Sequence, residues 1–269
     1  MRIIVHPLKV VLLFLFSSIL TFGADKNESN KVLSHSAFIK IFPSKKTISV
    51  VDTIVVVSSN SEIPFRLSPT FIVGEASLNG KQSIPQHDGA MLQFRDVLQD
   101  TSIIIVHYRG EIVATEMSQL NDTSAILREE EIFPQGEHDY QFANVTIQVP
   151  IGWETIASDK LIGQKTENDS TLFFWKTDLP IPSLGWFIAG KFSVKETKYN
   201  SVQIRAYYNS NDSIDGKKIL SLCKNVLNVY SEKFGSYRFS KLSIVETEDF
   251  VAGKNVVQKI LHGVSFVNS

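Results

Sequence analysis

Six histidines, 28 acidic side chains and one cysteine are the groups in this 269-residue chain best suited to acid–base chemistry or metal binding. The histidines stand at positions 6, 35, 87, 107, 138 and 262, and no two are four apart. A helix-borne zinc pair of the H-E-x-x-H type needs that spacing to place both imidazoles on one face. With Cys223 as the sole cysteine, neither a C-x-x-C motif nor an internal disulfide can form. The chain has no G-x-S-x-G elbow, no Walker A loop and no G-x-G-x-x-G fingerprint. Gly253-Lys254 lacks both the upstream glycine and the following Ser or Thr of a phosphate loop. As written, the sequence holds no complete zinc site and no recognisable hydrolytic centre.

Weaker candidates read as structural. Glu129-Glu130-Glu131 is an acidic run beside Phe133-Pro134, and such a run is expected to be a solvated edge rather than an acid–base pair. His138 and Asp139 are adjacent, so on a strand they point to opposite faces and make no dyad. Trp153, Trp175 and Trp186 fall on predicted strands or their ends, where core packing is expected. Cys223 sits on the apolar stripe of a predicted helix, the place of a small core residue rather than a nucleophile.

The positioning elements follow from hydropathy and charge. Lys and Arg (27) balance Asp and Glu (28), so no basic face argues for nucleic acid. Arg2 and Lys9 precede the apolar run Val10 to Leu20, then come Gly23 and Ala24 and the polar Asp25 to Glu28. Residues 1–24 therefore read as a secretory signal peptide. Eleven helical residues rise only about 16 Å, half of a bilayer core. The expectation is a secreted or periplasmic protein with no membrane association after cleavage. Sequons begin at Asn27, Asn121, Asn144, Asn168 and Asn211, glycan acceptors only in a eukaryotic secretory pathway.

After a polar leader, Asp25 to Ser34, short β-rich runs recur. They are Phe38–Phe42, Thr47–Val57, Phe71–Val73 and Ser102–Tyr108, then Phe142–Val149, Glu154–Ile162, Thr171–Lys176, Trp186–Glu196 and Val202–Tyr208. Asn79-Gly80 is a hairpin-turn signal. Strands without intervening helices predict a mainly β fold, an antiparallel β-sandwich or saddle. From Ile214 to Phe234 the apolar residues at 219, 222, 223, 226, 227, 230 and 234 keep a 3.6 period. Asp212, Ser213 and Asp215 are candidate N-caps and Gly235 is the C-cap. Leu242–Val245 is a further strand. A domain boundary is placed near residue 206, giving a β domain over 25–205 and a short α/β segment over 206–269.

The order of several segments from about His107 onward resembles the aminopeptidase N family of zinc metallopeptidases, the gluzincins. The stretches are His107-Tyr108-Arg109-Gly110-Glu111, Ile132-Phe133-Pro134, Val145 to Trp153, Phe174 to Pro182, Ile188-Ala189-Gly190-Lys191-Phe192, Phe234 to Phe239 and Lys241 to Glu246. The resemblance implies a saddle-like β domain followed by the beginning of a thermolysin-like catalytic domain. Zinc is implied only in an intact family member; no cofactor is expected in this chain. The family's G-x-M-E-N strand, whose Glu binds the substrate's α-amine, is matched best by Val251-Ala252-Gly253-Lys254-Asn255. Ala252, Gly253 and Asn255 stand in a degenerate version of it, and Lys254 replaces the Glu. A lysine repels the ammonium that a carboxylate attracts. Either that specificity is lost, or the register slips and the segment is a plain loop.

Two functions remain open. One is the non-catalytic front portion of an aminopeptidase N-like peptidase. The other is a stand-alone exported β-sandwich that binds peptides or a protein partner without catalysis. Exposure of Ile244, Val256 and Ile260 would favour the first, because the last helix and strand would then lack the neighbours that bury them.

Overall fold

The computed structural model describes residues 30–95, 100–115, 118–136, 141–158, 160–208, 216–237 and 239–247, together with the backbone of 264–268. Strict alternation builds most of it. Along Thr47–Val57 every second side chain (Ile48, Val50, Asp52, Ile54, Val56) is buried, and the residues between them are not. A strand with period two places one row on the core and one outside.

That strand, β2, lies inside an eight-stranded sheet. Its spatial order is β13 (Lys160–Glu167), β14 (Ser170–Lys176), β11 (Phe142–Pro150), β1 (Lys31–Phe42), β2, β8 (Thr101–Glu111), β4 (Phe71–Leu78) and β5 (Lys81–Ser83). All pairs are antiparallel except β1 with β11. The chain between β1 and β11 passes through most of the other elements, which gives the length a parallel crossover needs. Asn79 and Gly80, both at positive φ, close the β4–β5 hairpin as expected of an Asn-Gly turn.

A second sheet orders β12 (Glu154–Ile156), β15 (Trp186–Gly190), β10 (Ser124–Arg128) and β9 (Gln119–Leu120). A three-stranded sheet joins β3 (Glu62–Arg66), β7 (Met91–Arg95) and β6 (Gln86–Asp88). One continuous core lies between these layers and includes Ile39, Ile54, Phe65, Phe94, Ile104, Phe133, Ile147, Trp175 and Phe187. The fold is mainly β, as the sequence predicts.

The last sheet orders β16 (Ser193–Tyr199), β17 (Val202–Tyr208), β18 (Lys241–Thr247) and β19 (Val264–Asn268), with β17, β18 and β19 mutually parallel. Residues on both sides of position 206 thus share one sheet. Helix α2 (Gly216–Phe234) packs Leu220 and Leu227 on it, with Ile219 and Cys223 half-buried, and ends at Gly235 (φ +88°). Its candidate N-caps lie outside the described residues. Ile244 is buried in the same cluster, contrary to the exposure an uncovered strand would show, and Val256 and Ile260 lie outside the described residues. Leu222, Val226, Val229, Tyr230 and Phe234 of α2 are exposed. No described helix is long and apolar enough to cross a membrane.

Two expected strands each break in two. Glu154–Ile162 divides because the Ser158 hydroxyl donates to the Leu184 carbonyl, taking the chain from the second sheet to the first. Trp186–Glu196 divides at a tight turn, where Phe192 N–H donates to the Gly190 carbonyl at 3.0 Å. The expected loose leader also shortens, since β1 already begins at Lys31.

Gly110 faces Phe71 across the β4–β8 pair, and a Cβ there would lie 2.5 Å from both Phe71 Cδ1 and the Thr70 carbonyl. Because Phe71 is buried against Tyr108 (ring centroids 5.3 Å apart), it cannot yield freely. Gly110→Ala is expected to cost about 1–3 kcal/mol. Thermal unfolding followed by circular dichroism should show Tm lowered by roughly 2–10 °C; an unchanged Tm would contradict this packing.

Candidate functional site

Asp52 occupies a core position, with no measurable exposure, in the buried row of β2. A carboxylate there needs a donor, and His35, in the buried row of β1, supplies one. Its Nδ1 lies 2.7 Å from Asp52 Oδ2 and donates to it. The imidazole is itself 2% exposed and its ring centroid is 5.1 Å from that of Phe133. Burial alone would lower the His35 pKa, but the Asp52 carboxylate, the hydrogen bond to it and the field of Glu129 raise it above the ordinary value. Tyr108, in the buried row of β8, has its pKa pushed well up by burial and then by the charge of Asp52. Its hydroxyl donates to the Ile132 carbonyl at 2.8 Å.

That carbonyl closes α1 (Glu129–Ile132), the one-turn helix leading to Phe133. Here the sequence reading is corrected: Glu129 is not a solvated edge but 2% exposed. Oε1 accepts from Gln141 Nε2 at 2.6 Å. Oε2 accepts from the Ser183 hydroxyl at 2.7 Å and from the backbone N–H groups of Leu184 (2.6 Å) and Gly185 (3.2 Å). The Glu129 N–H returns a bond to the Gly185 carbonyl at 2.9 Å. Glu130 does face solvent and pairs with Arg128 at 2.7 Å. A single sequence cannot separate the members of an acidic triplet by type. The detectable signal is position: Glu129 directly follows a strand whose residues 125–127 are all buried.

His35, Asp52 and Glu129 are charged or polar groups brought together in the core, and no substrate can touch them there, so the arrangement holds the fold and does no acid–base catalysis. The remaining sequence candidates separate as follows. Trp153, Trp175 and Trp186 are buried, as expected. Cys223 is half-buried against the α2 cluster, and burial pushes its thiol pKa up, away from nucleophilic use. His138 and Asp139 lie outside the described residues, as do Ala252, Gly253, Lys254 and Asn255. These last four fall in sequence between β18 and β19. Among the described residues no three His, Cys, Asp or Glu side chains are grouped closely enough to hold a metal ion. The donor set described therefore does not fit a zinc ion.

The last sheet, β16 to β19, is fastened to the others by side chains the sequence did not single out. Lys241 is buried, its ammonium donating to the Ala157 carbonyl at 3.1 Å and lying 4.2 Å from the centroid of the Trp175 ring. Tyr207 and Val245 of that sheet share a buried cluster with Ile126, Ile156, Trp186 and Ile188 of the second.

No protein-family model matches the chain, and no curated protein matches it. Solved structures do. The M1 zinc metallopeptidase from Deinococcus radiodurans superposes with a TM-score of 0.70 at 16% identity, over 89% of this chain and 60% of that one. A point mutant of the same protein gives 0.71 at 15% identity with the same coverage. A two-domain M1 zinc metallopeptidase mutant bound to L-arginine gives 0.70 at 16%, again over 89% and 60%. Identities this low establish the fold alone. This chain spans about 60% of the length of the structures it matches.

Glu129→Ala removes the acceptor of two backbone N–H groups in the core. It is expected to destabilise the protein by about 3 kcal/mol or more and to make the chain near 183–185 sensitive to limited proteolysis. Wild-type cleavage rates in the variant would refute this. His35 adds a pH dependence. Its folded pKa lies above the unfolded value of about 6.5, so its ionic contribution is fully present below that pH and is lost as pH rises through the folded pKa. The stability gap between wild type and His35→Gln, from urea titrations, should be widest below about pH 6.5 and narrow above it. A pH-independent gap would rule the charged pair out.

Proposed function

We propose that this chain is the non-catalytic, β-rich front portion of an aminopeptidase N-like zinc metallopeptidase. The observation that carries the reading is the superposition of 89% of the chain on M1 zinc metallopeptidases of which it covers only 60%. The collinear segments from His107 to Glu246 support the same assignment. In this reading residues 25–205 are the saddle-like domain and 206–269 begin the catalytic-like one. Peptide hydrolysis by a zinc-activated water belongs to an intact relative, where zinc requires three protein ligands and an open position.

Residues 1–24 direct the chain to a secreted or periplasmic location, and its partners are peptides or protein rather than nucleic acid. The apolar outer face of α2 supports the front-portion reading, although Ile244, whose exposure would have favoured it too, is buried. Contiguous apolar surface of that kind marks a place where further polypeptide packs. Lys254 at the position of the family's amine-binding Glu is the point at which amine recognition departs from the relatives.

The decisive experiment pairs metal analysis with an activity assay on the purified chain. Atomic absorption is expected to find well under one zinc per molecule, and aminoacyl p-nitroanilides are expected to go unhydrolysed. One tightly held zinc per chain with chelator-sensitive hydrolysis would overturn the proposal.

A further inference from the structure

The eight-stranded sheet turns one face to the core, and the described residues leave the other uncovered. At one end of the open face lies a groove of about 450 Å³, a volume typical of small-molecule sites. Strand register determines what lines it. One rung runs Phe42, Thr47, Glu111; the next runs Ser49, Arg109, Ile72, with Lys40 beyond Ser49 outside the lining. Each of these side chains occupies the outward row of its strand. Lys45, from the turn between β1 and β2, completes the lining.

The groove carries unspent positive charge. Neither Lys45 nor Arg109 has an ion-pair partner among the described residues, although Glu111 lines the same groove. The Lys40 ammonium lies 5.2 Å from the centroid of the Phe42 ring, which adds a third cation at the edge. Ile72, two-thirds exposed, presents an apolar wall beside Arg109, with Phe42 on the opposite side. The Thr70 hydroxyl is already committed to the Glu111 carbonyl at 3.0 Å, whereas those of Thr47 and Ser49 remain to bind a ligand.

We propose that this groove is a binding site for small apolar carboxylates, with Arg109 holding the carboxylate and Phe42 and Ile72 flanking the apolar group. A guanidinium presents paired donors that match a carboxylate in a bidentate fork. Glu111 stands two residues along the same strand, about 7 Å from Arg109. Its charge offsets part of the groove's positive charge and so reduces the advantage a multiply charged anion such as a phosphate ester would otherwise have over a monocarboxylate. The carboxylate is either that of a free acid or the C-terminus of a peptide ending in an apolar residue. The site lies wholly on the β domain and its binding role does not depend on the peptidase reading, although Arg109 and Glu111 belong to the His107–Glu111 stretch in which the resemblance begins.

The test is titration of the full chain by isothermal calorimetry and by ¹H–¹⁵N chemical-shift perturbation, with N-acetyl-L-phenylalanine as probe. Its neutral amide, and an N-acetylated tripeptide ending in phenylalanine, serve as comparisons. Binding in the millimolar range or tighter is expected, with the amide at least about tenfold weaker. Arg109→Gln should weaken the acid by a similar factor and leave the amide unchanged, and Phe42→Ala should weaken both. Because Arg109 is exposed, its variant should keep the wild-type Tm. A tripeptide that binds more tightly than the single residue assigns the ligand as a peptide end; equal binding assigns a free acid. The proposal is wrong if the amide binds as well as the acid, if Arg109→Gln binds the acid unchanged, or if no shifts arise at Arg109, Ser49 and Thr47.

Discussion

A carboxylate sealed inside a β core must collect donors, and the way Glu129 collects them determines how the sheets of this protein meet. Its oxygens accept from Gln141, Ser183 and the backbone of Leu184 and Gly185. Residue 141 leads into β11 of the first sheet, and residues 183–185 lead into β15 of the second. Backbone groups so deep in the core have no water to turn to, and leaving them unpaired would be more costly than the burial of one well-bonded charge. The one-turn helix that carries Glu129 is too short to stand by propensity. It stands because Tyr108 fixes its last carbonyl and Phe133, just beyond, packs between His35 and Phe187. His35 is in turn held by Asp52. A chain of polar and aromatic contacts thus runs from the middle of the first sheet to the entrance of the second.

Much of the architecture was legible because strand alternation is a local property. The buried rows of β2 and β11 can be read directly from Thr47–Val57 and Phe142–Val149, and the Asn79-Gly80 turn and the Gly235 cap follow from backbone conformations that few residues adopt. Alternation reports which face a residue takes, but not which sheet a strand joins. For that reason Glu154–Ile162 and Trp186–Glu196 read as single strands although each crosses between sheets, guided by the Ser158–Leu184 bond and the Gly190–Phe192 turn. The periodicity of α2 was likewise plain, yet its apolar positions divide between a buried side at Leu220 and Leu227 and a bare side at Leu222, Val226 and Tyr230. A 3.6 period cannot distinguish a stripe that is covered from one that is not.

The polar core was less legible, for a different reason. Asp52 falls in the buried row of a strand otherwise made of Ile and Val, and that mismatch is visible in the sequence once the row is known. Its partner was not, because His35 falls between the polar leader, Asp25 to Ser34, and the first predicted strand, Phe38–Phe42. The distance along the chain between the two closes only when β1 and β2 pair. Glu129 was hidden by its own neighbours: Glu130 and Glu131 fit a solvated run, and three identical side chains disguise one with a separate role. Buried carboxylates become recognisable when the donors around them are known, and those donors are nonlocal backbone groups that composition cannot mark.

The last sheet, β16 to β19, is covered differently on its two sides. On its inner side the joint is complete. Lys241 reaches across to the Ala157 carbonyl and the Trp175 ring, and Tyr207 and Val245 interlock with Trp186 and Ile188. A buried ammonium needs both a carbonyl and an aromatic face to replace water, so the placement of Lys241 requires this sheet to dock on the β layers in one way. On its outer side α2 satisfies only half of its apolar surface. The described residues thus specify one face of a junction to the level of single hydrogen bonds while leaving the opposite face apolar and exposed, a surface of the kind against which polypeptide packs. That asymmetry is built on a fold shared with the M1 zinc metallopeptidases over 89% of this chain.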